Sequence, residues 1–158
     1  MKTLLHVDDS PDDRLLVQRA WEKARVAFQL KTVDGAVQAI RYLSGEMEFG
    51  DRSVFPLPDL ILLDLKMPEM NGFQVLRWIR ANPATRAIPV ALYTGSFIPE
   101  DIAKGYAAGA SLFITKPPEF STLIEIVRAA NECLAVKIPK WEPLARFSAR
   151  PDNDGTES

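Results

Sequence analysis

Five short apolar runs alternate along the chain with longer amphipathic stretches. Several of the runs are apolar at consecutive positions, which is typical of strands that are covered on both faces, as in a parallel sheet. They predict strands at Thr3–Val7, Gln29–Val33, Leu60–Leu63, Val90–Tyr93 and Leu112–Thr115. Between the strands, apolar residues recur at helical spacing and predict helices over Asp13–Ala27, Gly35–Leu43, Gly72–Arg80, Pro99–Ala108 and Phe120–Leu134.

The regular alternation of strands and helices predicts a doubly wound α/β fold built on a five-stranded parallel sheet. A helix between two sequential strands returns the chain for parallel pairing, and such crossovers are right-handed. In sheets of this class, ligands bind beyond the carboxyl ends of the strands. The residues that directly follow each strand are therefore the candidates for a functional site.

Two segments fall outside this repeat and suggest how the chain is divided. Gly45–Pro58 is a polar connection of 14 residues, and loops of that length in compact domains are often functional or mobile. We expect residues 1–135 to form one domain and residues 136–158 a C-terminal extension, in which Pro139 and Pro143 exclude one continuous helix. The extension offers apolar anchors at Ile138, Trp141, Leu144 and Phe147, whereas Arg150–Ser158 is predicted to be disordered.

The last predicted helix is apolar on two sides, so we expect something besides the sheet to cover it. The second apolar side consists of Ile126, Ala129, Ala130 and Cys133. Two covers are open at this point: the extension folds back on its own domain, or a second copy of the chain packs there. The second alternative is a homodimer through the fourth helix, the fifth strand and the fifth helix, with Trp141 and Phe147 as aromatic anchors.

Composition narrows the classes of partner. The chain has 158 residues, with 19 Lys and Arg against 21 Asp and Glu, and its formal net charge is -2. This balance gives no electrostatic case for binding nucleic acid, and the apolar runs are far shorter than the ~20 residues that cross a membrane. Cys133 is the single cysteine and cannot form an internal disulfide. We therefore expect a cytoplasmic protein that binds neither nucleic acid nor membrane.

The candidate site residues follow the first, third, fourth and fifth predicted strands. Asp8 and Asp9 follow the first, Asp64 the third, Thr94 the fourth and Lys116 the fifth. Three carboxylates at one edge of a sheet repel each other unless a cation joins them, and Mg²⁺ prefers such oxygen ligands. A carboxylate can also accept a phosphoryl group, a transfer that needs mainly positioning and charge neutralisation. The pattern therefore predicts a magnesium-dependent phosphoryl-transfer site.

These residues carry a close resemblance to a known family. The Asp8-Asp9 pair, the stretch Leu62–Pro68 that contains Asp64, Asn71-Gly72, Thr94-Gly95 and Lys116-Pro117 combine in a specific order and spacing. On these motifs the chain resembles the receiver domain of bacterial response regulators, over about residues 2–134. The resemblance implies a flavodoxin-like receiver fold with five strand–helix units.

The resemblance also implies the chemistry of the site. Asp64 would be the phosphoacceptor, charged by a sensor histidine kinase. Mg²⁺, or Mn²⁺ in its place, would be held by Asp8, Asp9, Asp64 and the backbone carbonyl of Lys66. Lys66 and Ser96, each two residues after a site residue, would occupy positions that tune the lifetime of the phosphate.

Further residues would transmit the signal. Thr94 and Phe113 would form the switch pair of the family, and Phe113 has no hydroxyl with which to bond a loop carbonyl. Lys116 would contact the phosphoryl group and would be joined to Pro117 by a cis peptide bond. The switched surface would be the fourth helix, the fifth strand and the fifth helix.

The long Gly45–Pro58 connection, the opening Val7–Asp13 and the length of the extension narrow the resemblance. They make the chain similar to the small single-domain regulators that accompany phytochrome-type kinases. A phosphorelay intermediate or phosphate sink, and an interaction module that no longer takes phosphate, remain as alternatives. A magnesium-dependent phosphohydrolase with an Asp nucleophile is the enzymatic rival, but Lys66 stands where such enzymes carry their general acid. We expect no enzyme activity beyond self-catalysed phosphotransfer and autodephosphorylation.

Overall fold

The computed structural model describes residues 1–137 and 139–151. Within this part of the chain, five strands form one sheet at the predicted places, and only the fourth is longer than predicted, by Thr94. The strands are β1 (Thr3–Val7), β2 (Gln29–Val33), β3 (Leu60–Leu63), β4 (Val90–Thr94) and β5 (Leu112–Thr115). The apolar runs alone therefore located the strands almost residue by residue.

The helices also follow the predicted pattern, with small shifts at their ends. They are α1 (Pro11–Ala24), α2 (Ala36–Ser44), α3 (Gly72–Ala81), α4 (Pro99–Ala107), α5 (Phe120–Leu134) and α6 (Glu142–Ala145). Helix α1 begins two residues before the predicted start, because the Ser10 side chain accepts a hydrogen bond from the Asp13 backbone N–H and Pro11 takes the first helical position. No helix in the described ranges is long and apolar enough to cross a bilayer.

All strand pairs are parallel, in the order β2-β1-β3-β4-β5. This is the predicted doubly wound sheet. The chain leaves β1 for β2 on one side and reaches β3 on the other, so the order reverses between β1 and β3, where Val7 pairs with Leu63. Such a reversal opens a crevice at the carboxyl ends of the two strands. The residues that follow β1 and β3 therefore lie side by side.

Helices cover both faces of the sheet. Helices α2, α3 and α4 pack on one face, in a core that includes Val75, Leu92 and Phe113. Helices α1 and α5 pack on the other face, in a core that includes Val17 and Leu123. Burial on both faces explains why the strands are apolar at consecutive positions.

The C-terminal extension folds back on its own domain. Leu144 of α6 is 1% exposed and belongs to the apolar core that α1 and α5 build. Ser148 then forms an antiparallel bridge with Ile114 of β5, and the Ala149 backbone N–H donates to the Phe113 carbonyl at 2.7 Å. The extension thus closes the open edge of β5, which would otherwise present unpaired backbone groups.

This placement answers the question of what covers α5. All four residues of its second apolar side are buried by elements of the same chain, so the first of the two predicted covers is present. The two prolines act as predicted, because α5 ends at Leu134 and a separate short helix follows. Of the predicted anchors, Ile138 lies outside the described residues, as do residues 152–158 of the segment that was predicted to be disordered.

The long connection after α2 packs against the domain. Phe49 and Phe55 stack with Tyr42 of α2 at ring-centroid distances of 5.1 and 5.8 Å. The Arg52 guanidinium donates to the carbonyls of Tyr42 and Leu43 in the last turn of α2, where helix carbonyls lack a following turn to bond to. The segment therefore has a structural role in capping α2, and it lies apart from the strand ends that were predicted to form the site.

Candidate functional site: an acidic pocket at the carboxyl edge of the sheet

The predicted acidic cluster forms at the crevice between β1 and β3. Asp8, Asp9 and Asp64 each offer a carboxylate oxygen, and these oxygens all lie within 4.8 Å of one another. Asp8 and Asp64 are buried, whereas Asp9 is more open to solvent. The convergence follows directly from the topology, since parallel strands end at the same edge.

Lys116 reaches this cluster from the end of β5. Its Nζ lies 3.0 Å from Asp8 Oδ2 and 3.7 Å from Asp64 Oδ2. The shortest contact of Nζ is with a residue that the sequence analysis missed, Asp13 in the first turn of α1, at 2.7 Å. Asp13 could not be found from the strand-end rule, because a helix brings it to the site. One ammonium group is therefore shared by three carboxylates.

Asp8 is held ionised inside the protein. Burial opposes its charge, but the nearby His6 ring, the hydrogen bond from the Ser10 backbone N–H and the Lys116 ammonium together lower the pKa of Asp8 to about 2. His6 is fully buried in β1 with its Nε2 3.5 Å from Asp8 Oδ2, and burial lowers the pKa of the imidazole. His6 is therefore a packed strand histidine, as expected, and its neutral ring faces the carboxylate.

Asp64 has the opposite electrostatic character. It is 4% exposed, and burial together with the nearby Asp8 carboxylate raises the pKa of Asp64 to about 6, despite the attraction of Lys116. The backbone behind it is closely packed, because a Cβ at Gly72 would lie 2.4 Å from the Asp64 carbonyl oxygen. Only glycine lets the start of α3 approach so near, which fixes the position of Asp64 at the end of β3.

The donor set fits a hard divalent cation. Three carboxylates supply oxygen atoms at mutual distances that one ion can span. Asp8 Oδ2 is buried and receives no hydrogen bond of good geometry from the described residues, although the Lys116 ammonium lies 3.0 Å away. A buried carboxylate oxygen without a hydrogen-bond donor is well suited to take a cation as its partner.

The remaining predicted residues lie at the end of β4, within β5 and after β3. Thr94 at the end of β4 is 1% exposed, and its hydroxyl oxygen accepts a hydrogen bond from the Ser96 backbone N–H. The Ser96 hydroxyl donates to Asp101 in the first turn of α4, at 2.7 Å. Phe113 is fully buried beneath α4, and the Lys66 side chain is exposed.

One expectation at the site is wrong. The Lys116–Pro117 peptide bond is trans, as is every other peptide bond of the described residues. Trans is the lower-energy isomer even before proline, by about 0.5–1 kcal/mol. Lys116 nevertheless reaches the carboxylates, and its backbone N–H donates to the Thr94 carbonyl at 2.7 Å.

Fold and site together define a class of protein, the phosphoacceptor receivers of two-component signalling. The family model of the response regulator receiver domain matches residues 4–128. The chain belongs to this family.

Relatives and solved structures make the placement more specific. The response regulator Rcp1 of Synechocystis sp. (strain PCC 6803) is 31% identical over 127 residues, which cover 80% of this chain and 84% of that protein. The phosphorylated cyanobacterial phytochrome response regulator RcpA superposes with a TM-score of 0.77 at 32% identity, covering 88% of this chain and 99% of that one. The Mn²⁺-bound form of Rcp1 gives a TM-score of 0.74 at 29% identity, covering 89% and 100%.

These similarities support the response regulator interpretation and favour none of its rivals. Family membership implies a histidine kinase as partner and a divalent metal at the acidic cluster. A probable cyclic di-GMP phosphodiesterase of Vibrio cholerae is also 36% identical over 115 residues, but the match covers only 23% of that protein. The likeness to that enzyme therefore extends over a small part of its length.

Proposed function

We propose that Asp64 accepts a phosphoryl group from the phosphohistidine of a sensor histidine kinase, of the phytochrome type, and that the added charge switches the α4-β5-α5 surface. The observation that carries this proposal is the arrangement around Asp64. A lysine Nζ lies 3.7 Å from its Oδ2, and two further carboxylates stand within 4.8 Å. The arrangement supplies a nucleophile, a cation-binding cluster and a phosphate partner in one pocket.

In the transfer, an oxygen of Asp64 attacks the phosphorus atom. The P–N bond of the kinase's phosphohistidine breaks as the new P–O bond forms, and the imidazole leaves with the electron pair. Lys116 then binds one oxygen of the phosphoryl group, and the Thr94 hydroxyl binds another. The Asp64 position suits this step, because the chain around it is fixed by the close contact with Gly72.

The metal of the proposal is Mg²⁺, with Mn²⁺ as a substitute. Asp8, Asp9, Asp64 and the backbone carbonyl of Lys66 would hold it, as oxygen ligands of a hard ion. When bound, Mg²⁺ offsets the negative charge of the carboxylates and of the phosphoryl oxygens. The low pKa of Asp8 supports this role, since Asp8 stays ionised at every physiological pH.

The conformational change would be transmitted from the pocket to α4. Movement of Thr94 toward the phosphoryl group would pull on the segment that holds Ser96, and the hydrogen bond from Ser96 to Asp101 links that segment to α4. Gly105 of α4 lies directly on Phe113, since a Cβ there would be 3.2 Å from the ring. A shift of α4 would therefore repack Phe113 through van der Waals contact alone.

Two positions would set the lifetime of the phosphate. Lys66 places an exposed cation two residues after Asp64 in the chain. Ser96 is 7% exposed and its hydroxyl is bound to Asp101, so its influence would come through the position of the segment after β4.

The proposal extends to the organisation of the protein. Residues 1–135 would form the receiver and residues 136–158 an extension, whose described part packs on the α4-β5-α5 side. Homodimers would form through this same side, where Phe97 and Ile98 at the start of α4 are 70% and 51% exposed. The protein would work in the cytoplasm, and its chemistry would be limited to self-catalysed phosphotransfer and autodephosphorylation.

The proposal is tested by labelling with acetyl phosphate in the presence of Mg²⁺, followed by intact-protein mass spectrometry. Wild-type protein gains one phosphoryl group, whereas Asp64→Asn gains none. Asp34→Asn is the matched control, because Asp34 follows β2 at the same edge of the sheet but lies outside the acidic cluster. It should label like wild type. Persistent labelling of Asp64→Asn would remove Asp64 from the role of acceptor.

A chelator provides the complementary test. EDTA in excess over Mg²⁺ should stop labelling of the wild type. Mn²⁺ added in excess over the EDTA should restore it. Labelling that continues in EDTA would contradict the metal requirement. The proposed homodimer is tested by the molar mass of the protein in solution at high concentration. A monomer mass both with and without the phosphoryl group would contradict the homodimer.

A further inference from the structure

The Lys116 side chain has a contact that phosphate binding does not explain. Its Nζ lies 2.7 Å from Asp13 Oδ2 and 3.7 Å from Asp64 Oδ2, so in this structure it is bound to the helix rather than to the acceptor. The contact joins residues 103 positions apart in the chain. It is therefore a product of the fold and not of local sequence.

Asp13 is well placed to hold the lysine. It lies in the first turn of α1, where the helix dipole favours a negative charge. Its backbone N–H is fixed by the Ser10 cap, and its side chain is 31% exposed against 19% for that of Lys116. The ion pair is thus partly desolvated and restrained at both ends.

We propose that Asp13 is a positioning residue that holds Lys116 away from Asp64 and competes with the phosphoryl group for its ammonium. The inference rests on the proposed function and adds a regulatory element to it. In the resting state, Asp13 and Asp8 take the two closest positions around Nζ, and Asp64 is third. A phosphoryl group on Asp64 gains Lys116 only by drawing it from Asp13 or by sharing it.

The direction of the effect follows from this competition. Removing the Asp13 charge frees Lys116 to turn toward Asp64, so the phosphorylated state should gain stability relative to the resting state. A role in folding alone predicts the opposite, because a damaged site binds a phosphoryl group less well. A gain of affinity is therefore the signature that separates the two explanations.

The test uses beryllium trifluoride, a tetrahedral mimic of the phosphoryl group, titrated into the full chain with Mg²⁺ and followed by fluorine NMR. Asp13→Asn should bind the mimic about fivefold more tightly than wild type, which corresponds to about 1 kcal/mol for a partly exposed ion pair. Asp12→Asn is the matched control: Asp12 is the adjacent acid of the same helical turn, is exposed, and makes no contact with Lys116. It should stay within about twofold of wild type.

A second variant guards against loss of the fold. Asp13→Glu keeps the charge and should return the affinity toward the wild-type value, while circular dichroism confirms that each variant is folded. Equal or weaker binding by Asp13→Asn would overturn the inference and leave the proposed function intact. An equal gain in Asp12→Asn would overturn it as well, because the effect would then be one of general charge. Failure of wild-type protein to bind the mimic would overturn both.

Discussion

Two edges of the same sheet are built in opposite ways. At the carboxyl edge, Asp8 and Asp64 are buried with Asp9 close by, and within the described part of the chain Lys116 is the cation that pairs with them. Along the side of β5, the extension supplies backbone hydrogen bonds and apolar contacts, and Leu144 is buried almost completely. At the carboxyl edge, the carboxylates repel each other until a ligand binds. At the β5 edge, the chain itself supplies the hydrogen-bond partners of the strand.

The carboxyl edge is therefore built for binding, and the β5 edge for stability. A cluster of like charges that costs folding free energy is retained where it binds a cation and a phosphoryl group, whereas the β5 edge is closed where open backbone groups would invite association. We therefore expect substitutions at the β5 edge to lower stability, and substitutions in the acidic pocket to raise it while function is lost.

The largest effect is expected at the β5 edge. Leu144→Ala should lower the free energy of unfolding by about 3 kcal/mol, because it removes buried methyl groups and leaves a cavity between α5, α6 and the sheet. Urea unfolding followed by circular dichroism measures the change. Leu15→Ala is the control, since Leu15 is 46% exposed on α1 and should change stability by less than about 0.5 kcal/mol. A loss at Leu144 no larger than at Leu15 would mean that the extension does not contribute to the stability of the domain.

The pocket should respond in the opposite direction. The pKa of Asp64 is raised to about 6 from the ordinary value of 3.8, so its ionisation opposes folding as the pH rises between these values. Asp64→Asn should therefore stabilise the metal-free protein by about 2–3 kcal/mol at about pH 7, and by much less at about pH 4. Urea unfolding in EDTA at the two pH values measures this difference. A gain that is the same at both would contradict the electrostatic explanation, and Asp12→Asn should show neither effect.

Much of the fold and of the acidic site could be predicted from sequence, and what could not be predicted has physical causes. The strands and the convergence of Asp8, Asp9, Asp64 and Lys116 followed from apolar runs and from the rule that parallel strands share an edge. The contact of Asp13 could not follow, because it depends on how α1 packs against the sheet. The cover of α5 was also undecided, since the extension and a second copy of the chain both offer apolar surface, and the apolar pattern of the helix is the same for either.

A third expectation joins metal binding to stability. Mg²⁺ at about ten times its dissociation constant should raise the free energy of unfolding of the wild type by about 1.4 kcal/mol, because the ion binds only the folded cluster. Asp9→Asn removes a carboxylate of the cluster and should lose most of this gain at the same Mg²⁺ concentration. Leu144→Ala should keep it in full, since Leu144 lies in the apolar core and not in the cluster. A loss of the Mg²⁺ effect in Leu144→Ala would show that the two edges are coupled, which would contradict their separate roles in binding and stability.

The smallest expected effect concerns side-chain hydrogen bonds at the β5 edge. The Tyr106 hydroxyl of α4 contacts the Ser148 hydroxyl at 2.9 Å and donates to the Ala149 carbonyl, so it ties α4 to the extension. Tyr106→Phe should lower the free energy of unfolding by about 1 kcal/mol, the net value of such a bond. Tyr93→Phe is the matched control, because its hydroxyl makes no hydrogen bond within the described residues. If both variants lose equally, the contribution is that of a buried hydroxyl in general, and the stability of this edge comes from its apolar packing and backbone pairing alone.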